Sequence, residues 1–306
     1  MEFLKSIPIL SRLLLVESNG MTFLDALPLL ANGILAGVLV AAVSGLLGVY
    51  VVLKRMVFVS AALSQVASAG VAVALLAGGL LGHRAAETHG HVISWPGIVS
   101  LVLVCVAALL LARHVSERRI TRESVLGIAY VLPAGVTLLM LDALSTEAHV
   151  IEDILFGNTV FVPTEQLAVL LVTASAVFLV HLLGHRQFIF TSLDPETATA
   201  CGVRTRVLNA VLLLAIAVTI AVSIRSVGAL PVFAFMVVPA SAALTLTERL
   251  WTVFLLSVVF GVAAAMLGFY LSFVFSLPTG PAMLTVAGAF LLPGVLRTLA
   301  RRWAAS

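Results

Sequence analysis

Between residues 55 and 70 the sequence reads RMVFVSAALSQVASAG, a run apolar enough for a bilayer that nevertheless carries Ser60, Ser64, Gln65 and Ser68. The three serines recur every four residues, so a helix stacks them on one face. Small residues at that spacing let helices approach closely in lipid, and their hydroxyls can bond to neighbours for roughly 1 kcal/mol or less. Gln65 fits that account poorly. Its amide carries several hydrogen-bonding sites and would be costly against lipid, so it should point into a bundle, toward a path for polar cargo.

Other potential ligands lie elsewhere. The stretch GHRAAETHGHV holds His83, Glu87, His89 and His91. Imidazole and carboxylate suit zinc or manganese and could collect metal near an entrance; the same spacing also describes a solvated loop. Asp142, Glu147, His149, Glu152 and Asp153 form an acidic patch that could attract a cation or dock a partner, or simply be a solvated rim. His181 and His185 in HLLGH lie on one helical face but lack the Glu of HExxH. Zinc-protease chemistry is therefore unsupported, and polar residues at a membrane interface are the better account. Cys105 and Cys201 sit at different levels of the chain and imply neither a disulfide framework nor a metal knuckle.

These residues must be positioned by a membrane-embedded scaffold. The 306-residue chain is 61% hydrophobic and 10% charged, with a mean hydropathy of +1.19. An average soluble domain is about 25% charged. Spans of about 20 apolar residues are needed to cross the hydrocarbon, and the sequence offers them at about 27–53, 56–82, 96–112, 123–143, 165–184, 207–225, 228–247, 251–275 and 282–297. The expectation is an all-α polytopic bundle of eight or nine transmembrane helices, residues 1–306 forming a single domain. Most of the 17 Lys and Arg, including Lys54, Arg55, Arg186, Arg204, Arg206, Arg249 and Arg297, then fall on one side. By the positive-inside rule that side is cytoplasmic, and the C-terminus with it. Residues 1–22 contain an apolar stretch too short to span, which reads as an interfacial segment rather than a signal peptide.

Pro133 and Pro239 interrupt two spans. Each leaves the carbonyl four residues earlier, Ala129 or Phe235, without its helical partner. Such a break is either a tolerated kink or part of a transport path, where broken helices often occur. Between two spans, residues 186–206 form a cytoplasmic joint containing LDPETATACGV. Asp194 is a helix cap, Pro195 suits the first helical position, Glu196 adds an acid at the positive end of the dipole, and Gly202 is the matching stop. A short capped helix at the membrane surface is either an interfacial element or a docking element for a cytoplasmic partner.

Six strings in order, VYVVLKRMVFVSAALSQVASAG, ESVLGIAYVLPAG, DILFGNTVFVPTEQL, LDPETATACGV, SVGALPVFAFMVVPASAAL and SLPTGPAMLTVAGAFLL, resemble one family. It comprises the permease subunits of zinc-, manganese- and iron-uptake ABC transporters, and the resemblance covers about residues 27–297. It implies a type II, cobalamin-importer-like fold in a bacterial inner membrane. Two permeases, as homodimer or heterodimer, would lie beneath an extracytoplasmic substrate-binding protein and above two ATPase subunits. It further implies that Leu193–Val203, with Asp194, Pro195, Glu196, Ala198, Ala200 and Gly202, is the coupling helix seated in the ATPase. The translocation path would involve Ala61, Ser64, Gln65, Ser68 and Pro239. Family members carry an Asp and, four residues later, a His where this chain has Ala61 and Gln65. A bare divalent cation in a low-dielectric cavity is poorly offset by a neutral amide alone. A paired permease retaining those ligands, or a cargo such as a metal chelate, would account for the change.

Lys5 and Lys54 are the only lysines, and neither stands in a GxxxxGK[ST] pattern. ATP would therefore be bound by a separate subunit, and no cofactor is expected in this chain. A gradient-driven transporter is the competing class, but Glu123, Asp142 and Glu165 all sit at span ends rather than mid-membrane, which argues against proton or sodium coupling. No Ser/His or metal–base constellation lies within a span, so an intramembrane enzyme is not supported, and nothing points to nucleic acid.

Overall fold

The computed structural model describes residues 17–18, 21–80, 95–113, 122–143, 157 and 162–297. A two-residue antiparallel pair, β1 (Glu17–Ser18) with β2 (Met21–Thr22), precedes a set of helices. They are α1 (Phe23–Leu53), α2 (Val57–Leu80), α3 (Trp95–Ala112), α4 (Arg122–Ala143), α5 (Thr164–Leu193), α6 (Pro195–Ala200), α7 (Thr205–Val227), α8 (Ala229–Leu246), α9 (Leu250–Phe275) and α10 (Thr279–Ala289). Among the described residues nine helical segments are long and apolar enough to cross a membrane, the last running from Thr279 to Arg297. The protein is thus a polytopic helical bundle. Of the segment expected at the interface, residues 1–16 lie outside the described residues.

The bundle is assembled around α1 and α2. α1 packs against α5, α7, α8 and α9, whereas α2 packs against α3, α4, α7 and α8. Lipid gives no hydrophobic reward for helix association, so close backbone approach must supply it. A Cβ on Gly48 of α1 would collide with the Met236 carbonyl of α8. Ser257 of α9 donates its hydroxyl to the Gly45 carbonyl at 2.7 Å, and Ser100 of α3 donates to the Ala67 carbonyl of α2 at 2.8 Å. Small residues therefore hold these helices together.

One boundary differs from expectation. The fifth span does not stop near 184 but continues as α5 to Leu193, 30 residues or about 45 Å of helix. Arg186 and Gln187 lower the local hydropathy, but helical hydrogen bonding is indifferent to hydropathy. Phe188, Thr191 and Ser192 are buried, and the last two return their hydroxyls to the Phe188 carbonyl. The first third of the expected joint is therefore an extension of a transmembrane helix.

Candidate translocation path and coupling helix

α2 leaves α1 through a tight turn in which Arg55 adopts a left-handed φ of 54°. Its serine stripe is enclosed. Ser60, Ser64 and Ser68 are almost fully buried, and Ala61 and Gln65 are 8% and 6% exposed. Ser60 donates to the Val57 carbonyl at 2.7 Å and Ser68 to the Ser64 carbonyl at 3.1 Å. These hydroxyls thus serve their own helix instead of bridging to a neighbour, which corrects the expectation of cross-helix bonds from this stripe. The Ser64 hydroxyl is different: it is buried and without a hydrogen-bond partner. Beside Gln65, it leaves polar capacity inside the bundle that a cargo or water could satisfy. Pro239 is buried in α8, which packs on α2. α8 runs continuously through Pro239, as α4 does through Pro133, so the expected interruption of these spans is not seen; the stripe and Pro239 belong to neighbouring helices. Among the described residues no group of three or more His, Cys, Asp or Glu converges to hold a metal.

α6 is defined by its ends. Asp194 closes α5, its N–H bonding the Phe190 carbonyl at 3.0 Å, and opens α6. Its carboxylate accepts from the Thr197 amide at 3.0 Å and from the Thr197 hydroxyl at 2.6 Å. Those bonds hold the Asp194 carboxyl below its ordinary pKa. At the other end Gly202 sits at φ +82°, a conformation in which a side chain is strained. The Val203 N–H bonds the Ala198 carbonyl at 3.0 Å and the Gly202 N–H bonds the Thr199 carbonyl at 3.0 Å, which is the paired bonding of a Schellman motif. Ala198 alone on α6 is buried. Pro195, Glu196 and Ala200 are exposed, so the helix buries one small residue against the bundle and leaves the rest of its surface exposed.

Of the histidines of HLLGH, His181 is 7% exposed, with its Nδ1 2.9 Å from the Tyr50 hydroxyl of α1 and its Nε2 3.2 Å from His185 Nδ1. Tyr50, 1% exposed, also meets the rings of Phe188 and Phe254 at centroid separations of 5.8 and 5.1 Å. Sequence reading missed Tyr50, whose only signal was a hydroxyl in an otherwise apolar stretch. His83, Glu87, His89 and His91 lie outside the described residues, as do Glu147, His149, Glu152 and Asp153.

Residues 26–298 match the sequence profile of the ABC 3 transport family. The chain is 28% identical over 273 residues to the manganese transport system membrane protein MntC of Listeria innocua, covering 87% of this chain and 91% of that protein. It is 26% identical over 275 residues to the manganese import system permease protein ScaB of Streptococcus parasanguinis, covering 88% and 92%. The fold is similar to that of a chain in the PsaBC structure from Streptococcus pneumoniae, solved with an Fab. That match has a TM-score of 0.76 and 22% identity, covering 89% of this chain and 94% of the other.

Proposed function

The chain belongs to the ABC 3 transport family, and from that premise we propose that it is the membrane permease of an ATP-driven importer for a divalent transition metal, with manganese the leading candidate. α6 carries this reading. A six-residue helix capped at both ends, joined directly to α5 and exposed on all but one residue, is what a separate ATPase would grip. ATP hydrolysis there moves α5 and α7, between which α6 hangs. The basic joints and the C-terminus lie on the ATPase side, the cytoplasm, and a binding protein delivers cargo from the opposite side to a pair of permeases.

The path runs along α2, past Ala61, Ser64, Gln65 and Ser68, with Pro239 on the adjoining helix. The manganese named for the similar MntC and ScaB proteins supports the substrate class. The neutral Ala61 and Gln65 favour a second reading within it, in which the cation travels as a chelate or meets its charged ligands on a paired permease. The test is ATP-driven uptake by the permease, ATPase and binding protein reconstituted in vesicles, with manganese, zinc and ferrous iron against a chelator control. ATP-dependent accumulation of one metal is expected. Uptake that proceeds without ATP would overturn the importer reading, and ATP hydrolysis indifferent to all three metals would move the substrate to a chelate.

A further inference from the structure

α6 joins the end of α5 to the start of α7, and both of those helices are tied to the same short stretch of α1: α5 at His181, about three turns before its end at Leu193, and α7 at Asn209 in its second turn. Tyr50 of α1 bonds His181 of α5 at 2.9 Å. One turn later Lys54 donates its ammonium to the Asn209 side-chain oxygen of α7 at 3.2 Å. The first bond is buried: Tyr50 and His181 are 1% and 7% exposed and are walled by Phe188 and Phe254. A hydrogen bond in such surroundings is stiff, because breaking it would leave both groups unsatisfied.

The stretch that receives these two ties leads straight into α2. The Arg55 N–H bonds the Val52 carbonyl at 3.0 Å and the Met56 N–H bonds the Val51 carbonyl at 2.8 Å. Met56 is 4% exposed, and α2 begins at the next residue. The turn is thus fastened back onto the end of α1, with Arg55 held in a left-handed conformation where glycine is usual. The end of α1 and the start of α2 are joined by a short hydrogen-bonded turn.

Taking the importer reading as given, we propose that Tyr50–His181 and Lys54–Asn209 form a two-point latch that carries motion of the coupling helix through the end of α1 into the polar stripe of α2. Tyr50 and His181 act here as positioning residues. Neither touches cargo or nucleotide. Their contribution is to make α1 follow α5, so that the state of the ATPase and the state of the path change together.

The test uses the full complex of permease, ATPase and binding protein in lipid nanodiscs, reading basal ATPase turnover and its stimulation by the manganese-loaded binding protein. Tyr50→Phe removes one hydroxyl, and His181→Phe keeps a ring among the surrounding aromatics. Each is expected to leave basal turnover within about twofold and to lower the stimulation about fivefold, on the order of one buried hydrogen bond. His181→Phe also removes the contact with His185, so the double variant is expected to fall no further than His181→Phe alone. Lys54→Met, which keeps the stem and removes the tie to α7, is expected to lower stimulation about threefold and serves if the buried variants fail to assemble. Unchanged stimulation in Tyr50→Phe or in Lys54→Met would overturn the latch, as would losses that multiply in the Tyr50→Phe, His181→Phe double variant. If the parent complex takes up no manganese in vesicles, the substrate reading fails, and the latch is decided by stimulation with the binding protein loaded with zinc or ferrous iron, whichever the parent complex accumulates.

Discussion

α6 and the stripe on α2 are opposites in construction. α6 is six residues long, sits at the surface, and has its terminal groups closed by Asp194 at one end and by Gly202 and Val203 at the other. α2 is enclosed, with 78% of its apolar window buried against 17% for α3 and 11% for α4. Yet it contains a hydroxyl, Ser64, with no partner. The proposed docking element is thus built from local backbone chemistry, complete within itself. The proposed path element leaves the Ser64 hydroxyl unpartnered inside the bundle, as those of Ser44 on α1 and Ser226 on α7 also are.

The comparison can be tested at both ends. The largest effect is expected from Glu196→Arg combined with Ala200→Trp, which crowds the exposed face of α6 without touching the buried Ala198. The ATPase should no longer co-purify, while membrane insertion is retained. Intact co-purification would remove α6 from the interface. Ala61→Asp with Gln65→His should tighten manganese or zinc binding at least tenfold by restoring charge and imidazole on one helical face. Bound metal measured on the purified permease would be unchanged only if that face does not meet the path.

Smaller effects sharpen the contrast. Gly202→Ala meets no neighbouring atom but must hold φ near +82°, which costs about 1 kcal/mol. The expected readout is a severalfold weaker ATPase affinity, and Gly202→Asn should recover part of it. Ser64→Ala should leave thermal stability equal or slightly raised, because the hydroxyl it removes is unpartnered, while lowering transport. A loss of stability with normal transport would return the stripe to packing alone.

The smallest effect is in pH. Hydrogen bonds from Thr197 hold the Asp194 carboxyl below its ordinary value of 3.8. A depressed carboxylate contributes its stabilisation above the ordinary value and loses it as pH falls through the lowered one. Protection of the Thr197 amide against hydrogen exchange should therefore persist across neutral and mildly acidic pH and be lost only below the usual carboxylate range. Asp194→Asn, which still caps, should remove that dependence.

How much of this was legible in the sequence follows the range of the interactions. Asp194, Pro195 and Gly202 announced α6 because capping is settled within three to five residues. Apolar run length located the spans for the same reason. The end of α5 was misjudged because Arg186 and Gln187 resemble a membrane boundary, and only burial of Phe188, Thr191 and Ser192 shows the helix continuing. The serines were recognised as a packing seam, but whether each hydroxyl turned to its own helix or to a neighbour was not readable from spacing.

By itself, then, the sequence determined an all-helical membrane chain, the approximate position of its spans, a capped surface helix, and a polar stripe without charge. Hydropathy and capping act between near neighbours, so the chain carries them wherever it folds. The tertiary structure alone decided that Tyr50 meets His181 across a separation of 131 residues, and that Lys54 meets Asn209 across 155. Those meetings depend on which helix faces pack together, and close approach at positions such as Gly48 and Met236 sets those faces only once the whole bundle is assembled.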